Sequence, residues 1–192
     1  FTEKTLNFFF DKKYFKLRLL KRNLIDEIWK RKIVKSNSKF YNLPHNSVGS
    51  NFKSKINKII HNLNKCGADY QFITSSENNA WLLNIRGRDV KYAPLPLSYI
   101  LINKKKEIKF FCDIKKISFS LRKQFNKVEF IELESVQSIL SKINKKKFII
   151  DANSCSIFFK NIILKNNQIL NFDDPIYHLK AIKSKNEIDN IK

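Results

Sequence analysis

A chain of 192 residues is long enough for one core of ordinary size, or for one domain plus part of another, and its 38 Lys and Arg against 17 Asp and Glu give a formal net charge of +21. Cys66, Cys112 and Cys155 lie far apart with no C-x-x-C spacing, which speaks against a disulfide framework or a zinc site and suits reduced thiols in apolar settings. No apolar run approaches the ~18 residues of a membrane span, and the lysines are spread along the whole chain beside abundant Asn, Ile and Phe, which reads as an AT-rich coding bias and not as one phosphate-binding stripe.

The chain opens at Phe1 and contains no Met, so residue 1 reads as an internal position. Residues 1–32 have the look of the tail of an earlier unit. Phe8-Phe9-Phe10 is apolar but short, and Tyr14, Leu17 and Leu20, or Phe15 and Leu19, fall at helical spacing. Asn23–Trp29 follows as an apolar-rich connection. Residues 33–50 carry Pro44, Gly49 and many Asn and Ser, the composition of a linker lying on a surface.

A new unit starts near residue 51. Phe52, Ile56, Ile59, Ile60 and Leu63 repeat at the offsets of an amphipathic helix, and Gly67 is placed to stop it. Tyr70–Thr74 reads as a strand. Ser75 or Ser76 caps a short helix carrying Trp81, Leu82 and Leu83, with Gly87 as its end. Ser98–Ile102 and Ile108–Cys112 form a hairpin around Lys104–Glu107. The period then alternates: helix over Ile117–Phe125, strand over Val128–Leu133, helix over Ser135–Ile143, strand over Lys147–Asp151, helix over Ser154–Leu164, strand over Gln168–Phe172. A hairpin feeding β-α-β units predicts an α/β fold, a mixed β-sheet flanked by helices. Near the end, Ser184 and Glu187 have capping-box spacing, and Ile188 and Ile191 continue a helix that stops within a turn or two. Both ends therefore read as those of a fragment.

Few residues offer chemistry. A metal centre needs convergent carboxylates and imidazoles, but His45, His61 and His178 show neither H-x-H nor H-E-x-x-H spacing. There is no G-x-S-x-G turn, and Gly49, Gly67 and Gly87 cannot form a phosphate cradle. Asp173-Asp174-Pro175 reads as a turn, and the isolated carboxylates as solvated. No catalytic residue and no metal ligand is assigned. The most distinctive stretch is Ala80–Asp89, leading to Tyr92–Tyr99. Arg86 and Asp89 around Gly87 either form a buried ion pair that fixes the loop or line a cleft; the structural role is the expected one.

Several motifs resemble those of aminopeptidase P, the Xaa-Pro aminopeptidase family. Asn23-Leu-Ile-Asp-Glu-Ile-Trp29 resembles its N-L-[IV]-D-x-[IV]-W segment. Trp81-Leu-Leu-Asn-Ile-Arg-Gly-Arg-Asp89 resembles W-L-x-N-[IL]-R-G-x-D, with Arg88 standing where a small polar residue is common. Gly67-Ala-Asp69, Asp174-Pro175, Lys180–Lys183 and Asn186–Ile188 fit in the family's order. The resemblance implies the amino-terminal fold of creatinase and prolidase. Residues 1–32 would end a first such domain, 33–50 would be a linker, 51–180 a second such domain, and 181–192 the start of a pita-bread catalytic domain. That further domain would bind two divalent metal ions, usually manganese, through ligands that have no counterpart here. The full protein would be a cytoplasmic, homo-oligomeric metallopeptidase releasing the residue that precedes a proline, while residues 1–192 alone would be inactive and hold no cofactor. Trp81, Asn84, Arg86, Gly87 and Asp89 would form a structural or substrate-entrance motif. The implied partner is a peptide with proline second, with neither nucleic acid nor membrane. The competing assignments are a stand-alone basic module binding nucleic acid, and a creatinase- or prolidase-like relative with a different substrate.

Overall fold

The computed structural model describes residues 1–11, 13–18, 20, 24–29, 36–170 and 172–192. Its centre is a six-stranded sheet whose strands come from two kinds of local pattern. Tyr70–Ile73 (β2), Tyr99–Asn103 (β4) and Ile108–Phe111 (β5) precede the alternating part of the chain. Val128–Ile131 (β6), Lys147–Ile150 (β7) and Gln168–Leu170 (β8) are its strands. The spatial order is β6-β5-β4-β2-β7-β8. β4 runs antiparallel to both neighbours, while β5–β6, β2–β7 and β7–β8 are parallel. Five strands therefore point one way and β4 points back.

Side chains on successive strand residues face opposite sides of a sheet, and here both sides are buried. Ile73, Ile100, Ile102, Phe110 and Ile149 pack under one helical layer. That layer consists of Phe52–Lys65 (α3), Ser76–Leu83 (α4), Phe119–Gln124 (α5) and Pro175–Ala181 (α8). Phe72, Leu101, Phe111, Phe148 and Ile150 face the other layer, made of Val136–Lys142 (α6) and Ile157–Leu164 (α7). Each such side chain contributes about 1.5–3 kcal/mol of burial, which is why runs such as Phe-Ile-Ile read as continuous hydrophobic strands. The mixed α/β sheet expected from the sequence is the observed fold.

Local signals set the boundaries. Asn51 caps α3 by accepting from the Ser54 amide at 2.9 Å. Gly67, at φ +65°, closes it: Gly67 N–H donates to Asn64 and Ala68 N–H to Leu63, the Schellman pattern. Ser75 is the cap of α4, but the helix ends earlier than Gly87, at Asn84, a left-handed C-cap with φ 57° and ψ 22°. Asn is among the few side-chain-bearing residues that tolerate that conformation. Ser156 caps α7, and Ser184 with Glu187 forms the full capping box of Lys185–Asp189 (α9).

Three further expectations change. Tyr14, Leu17 and Leu20 are exposed and outside any helix, while Leu19 lies outside the described residues. The helix near the start is instead Glu3–Phe9 (α1), capped by Thr2. Helical spacing alone does not fold a short segment that has no surface to pack on. Asn23–Trp29 holds a short helix, Leu24–Ile28 (α2), with Asn23 itself outside the described residues. The segment read as a surface linker is tied into the domain from Phe40 onward, residues 33–35 being outside the described residues. Phe40 is 3% exposed and its N–H donates to Lys116. Tyr41–Asn42 (β1) pairs antiparallel with Ile85–Arg86 (β3), and Val48 is buried. Phe40 and Val48 are the apolar anchors that an Asn- and Ser-rich composition conceals.

Candidate functional site

The distinctive stretch forms a corner at the carboxyl end of the parallel strands, where α4 gives way to β3. Lys55 enters this corner from the first turn of α3. It is 4% exposed, and its ammonium donates to Trp81 O at 2.8 Å and to Asn84 Oδ1 at 2.6 Å while lying 4.1 Å from the Trp81 ring centroid. Burial pulls its pKa down to about 8, against the attraction of Glu187 on α9. Asn84 does two jobs. Its backbone turns the chain, and its side-chain amide donates to Ser50 O at 3.1 Å, joining the corner to the start of α3.

Arg86 and Asp89 do not pair with each other. Arg86 Nη1 donates to Ala80 O at 2.8 Å and Ile85 O at 3.1 Å, so the guanidinium caps the carboxyl end of α4. Burial lowers its pKa, an effect partly offset by Tyr41. Asp89 instead accepts from Lys116, with both side chains nearly buried, and from the Leu97 amide at 2.9 Å. The expectation of an ion pair in this loop is right about Asp89 and wrong about its partner, because residues three apart across Gly87 diverge once β3 pairs with β1. A Cβ on Gly87 would lie 2.9 Å from Pro96 Cα and 3.0 Å from the Phe40 ring, so the loop can close only over glycine. Arg88, between them, is exposed. Trp81, Asn84, Arg86, Gly87 and Asp89 are thus brought together, with the side chains of Asn84, Arg86 and Asp89 bonded to the protein's own backbone and to Lys55 and Lys116.

A second polar network lies beside it on the same end of the sheet, and here carboxylates expected in solvent are buried. Asp174 caps α8 and is 3% exposed. It accepts from Gln71 Nε2 and Asn78 Nδ2, each at 2.8 Å, and from Ile176 N at 3.0 Å. Burial raises its pKa despite those bonds. Asp151, at the end of β7, accepts from Tyr177 OH at 2.9 Å and from Asn153 N at 3.0 Å. Burial works to raise its pKa too, but the hydrogen bonds outweigh it and hold the carboxyl below its ordinary value. Tyr177 is pushed up to about 12 by burial and by its bond to Asp151. Lys180 donates to Asn78 Oδ1 at 3.1 Å, so α8 is fastened at both ends.

What could these groups do chemically? The Cys112 and Cys155 thiols are buried and pushed up, Cys155 to about 12, so neither is a nucleophile near neutral pH. His61 and His178 are exposed on α3 and α8, where they line an open cleft with Asp173 and Cys66, and the His45 side chain lies outside the described residues. Among the described residues no group of three or more His, Cys, Asp or Glu could hold a metal ion, and no helix is long and apolar enough to cross a membrane. In the corner, Asn84, Arg86 and Asp89 use their hydrogen bonds to fix α3, α4 and the loop that follows. Lys55 and Lys116 were missed from sequence. Lys55 had a signal, since it falls inside the apolar arc of α3 beside Phe52, Ile56 and Ile59; Lys116 had none.

A mixed sheet sandwiched by helices, with one end locked by a buried ion pair and helix caps, is a domain of α/β class. Residues 31–187 match the family described as Creatinase/Prolidase N-terminal domain, and the chain belongs to that family. It is 29% identical over 181 residues to Xaa-Pro aminopeptidase 1 of Dictyostelium discoideum, covering 88% of this chain and 28% of that protein. It is 28% identical to a probable Xaa-Pro aminopeptidase P of Laccaria bicolor over 188 residues, 94% of this chain and 29% of that one. The fold superposes on the X-prolyl aminopeptidase of Caenorhabditis elegans, described as a cytosolic enzyme with a di-nuclear active site, at a TM-score of 0.79 and 23% identity, over 88% of this chain and 29% of that one. The chain therefore spans less than a third of the length of these relatives.

Proposed function

We propose that this chain is a non-catalytic amino-terminal portion of a metal-dependent Xaa-Pro aminopeptidase, a cytoplasmic homo-oligomeric hydrolase acting on peptides with proline second. The observation that carries this reading is the match of nearly the whole chain to Xaa-Pro aminopeptidases of which it spans under a third. In this reading residues 1–32 close a first domain, 33–50 connect it to the second and are packed against that second domain from Phe40 onward, 51–180 are the body of the second domain, and 181–192 lead into the catalytic one. Two divalent ions, manganese in the family it resembles, would polarise the scissile carbonyl and activate water when bound there. Among the described residues no cluster of His, Cys, Asp or Glu offers to hold either ion, so this reading assigns both to the catalytic domain.

The role left to this chain is positional. α9 contacts the 3-10 turn His45–Ser47, Asn190 donates to Asn46 O at 3.1 Å, and Ser184 packs so closely on Gly49 that a Cβ there would lie 1.6 Å from Ser184 Oγ. The corner at Asn84–Asp89 rests on the same segment through Asn84 and Ser50. Trp81, Asn84, Arg86, Gly87 and Asp89 therefore set the angle at which α9 leaves the domain, and with it the wall of the substrate entrance. The test has two arms. The longer protein carrying this chain should release the first residue of an Xaa-Pro peptide with manganese and lose that activity to a chelator, whereas purified residues 1–192 should show no turnover. Turnover by residues 1–192 alone, or metal-independent turnover by the longer protein, would sink the proposal.

A further inference from the structure

The parallel strands all begin at one end of the sheet, and the loops that deliver the chain to that end are unusually basic. The β4–β5 turn supplies Lys104, Lys105 and Lys106; the approach to β7 supplies Lys145, Lys146 and Lys147; all six are exposed. Lysines so distant in sequence meet because Asp69 ties their loops together. Asp69 N–H donates to Lys147 O at 2.8 Å, its carboxylate accepts from Lys147 N at 3.0 Å and from Lys104 Nζ at 2.7 Å, and its carbonyl accepts from Lys104 N at 3.2 Å. Lys104, Lys105 and Lys146 then border one surface depression. Lys127, just before β6, extends the surface to the edge strand.

Architecture accounts for only part of this charge. Lys65, Lys142 and Lys165 lie at the carboxyl ends of α3, α6 and α7, where a cation offsets the helix dipole. Lys104 pairs with Asp69, and Lys106 donates to Asn57 Oδ1 at 2.9 Å. Among the described residues Lys105, Lys127, Lys145, Lys146 and Lys147 have no ion pair, and Asp69 and Glu107 are the carboxylates of the loops at this end. Unpaired like charges repel one another and oppose the compact state. The concentration of charge that the linear sequence does not show is a product of topology.

We propose that this end of the sheet is a docking surface for a nucleic-acid phosphate backbone, independent of the peptidase reading. Lysines act on phosphates as point charges and give affinity without reading bases. Six strands spaced ~4.8 Å apart make a face about 24 Å broad, and a duplex presents one charge per ~1.7 Å of axis counting both strands, so that length carries about fourteen phosphates, roughly half of them on the facing side. A bilayer fits less well, because membrane-seated basic surfaces add an apolar face. On the strands and on the helices α3, α6 and α7 that reach this end, Leu164 is the large apolar side chain exposed there. The surface is also remote from α9 and the Asn84–Asp89 corner, which lie at the opposite end of the sheet, so the positional role proposed above leaves it open.

Fluorescence anisotropy with a labelled 20-nucleotide RNA and the matching duplex, on residues 1–192 at 50 to 200 mM salt, tests this. We expect binding that weakens linearly on a log–log salt plot. Lys105→Glu/Lys145→Glu/Lys146→Glu should lose tenfold or more in affinity and about three units of salt slope. An equal charge change at the other end, Lys91→Glu/Lys183→Glu/Lys185→Glu, should change affinity less than twofold. The glutamine version of the first triple gives a smaller loss in the same direction if the glutamate version folds poorly by circular dichroism. The proposal is overturned if both triples weaken binding alike, if the wild-type chain fails to bind at 100 mM salt, or if phosphatidylserine vesicles are bound more tightly than either nucleic acid.

Discussion

The two ends of the central sheet use the same residue types for opposite purposes. At the carboxyl end Lys55, Lys116, Asp151 and Asp174 are buried and each is met by fixed partners. At the amino end Lys105, Lys145, Lys146 and Lys147 stand in solvent. A buried charge with a removed partner costs several kcal/mol, whereas an exposed one is worth a few tenths. The contrast teaches that charge content alone assigns no role. Which groups hold the fold and which remain available is decided by desolvation, and substitutions at the two ends should separate cleanly.

The sharpest way to break the contrast is Asp174→Ala. It strands the buried amides of Gln71 and Asn78 and removes the α8 cap, so we expect a loss of about 3 kcal/mol, read from the urea midpoint. Gly87→Ala comes next, at about 1–3 kcal/mol, since the new methyl meets Pro96 backbone. Recovery of wild-type stability in that variant would show that the corner is softer than its contacts suggest. Arg86→Ala should cost about 1–2 kcal/mol by uncapping α4. In the longer peptidase proposed above its effect should follow stability; lost turnover at unchanged stability and metal content would instead place Arg86 in the catalytic machinery.

Proton linkage sharpens the comparison further. Lys55 has a folded pKa of about 8, below its ordinary 10.5. Between those values the unfolded chain holds a proton that the folded one has released, so stability rises with pH there, by up to about 1.4 kcal/mol per unit. Lys55→Met should flatten that rise. The two buried carboxylates act with opposite signs. Asp151, depressed when folded, adds stability above its unfolded pKa that is lost as pH falls through the folded value. Asp174, raised when folded, adds stability at low pH that is lost as pH rises through its folded value. Asp151→Asn should therefore blunt acid unfolding and Asp174→Asn should not, which acid titrations of the two variants would check. The smallest effect belongs to the other end: Lys145→Glu or Lys146→Glu should move stability by less than about 0.5 kcal/mol.

Much of the fold was legible in the sequence because it rests on short-range regularity. The α3 stripe with its Gly67 stop, the β4–β5 hairpin and the alternation from β6 to β8 are all local patterns. The site was legible only in part. The Trp81–Asp89 stretch stood out, yet its partners Lys55 and Lys116 come from elements 26 and 27 residues away, and no periodicity links such pairs. Asp174 was read as a turn residue and Asp151 as a solvated carboxylate at the end of a strand, because their burial depends on α8 folding back over the sheet: Tyr177 of α8 bonds Asp151, and the Asp174 partners Gln71 and Asn78 lie about 100 positions earlier. The helical spacing of Tyr14, Leu17 and Leu20 failed for the converse reason: a pattern without a packing surface.

The single reversed strand also orders events in time. β4 and β5 face each other across a turn whose Lys106 adopts φ 67° and whose Asn103 side chain accepts from the Lys105 and Glu107 amides, so this hairpin can close within microseconds. The β2–β7 pairing joins Tyr70 to Phe148 and must wait for the intervening chain to be gathered in. The Asp69–Lys147 clasp forms with that last, long-range step. Slow refolding variants should therefore cluster at Asp69 and along β7, and variants that only hasten unfolding should lie outside them.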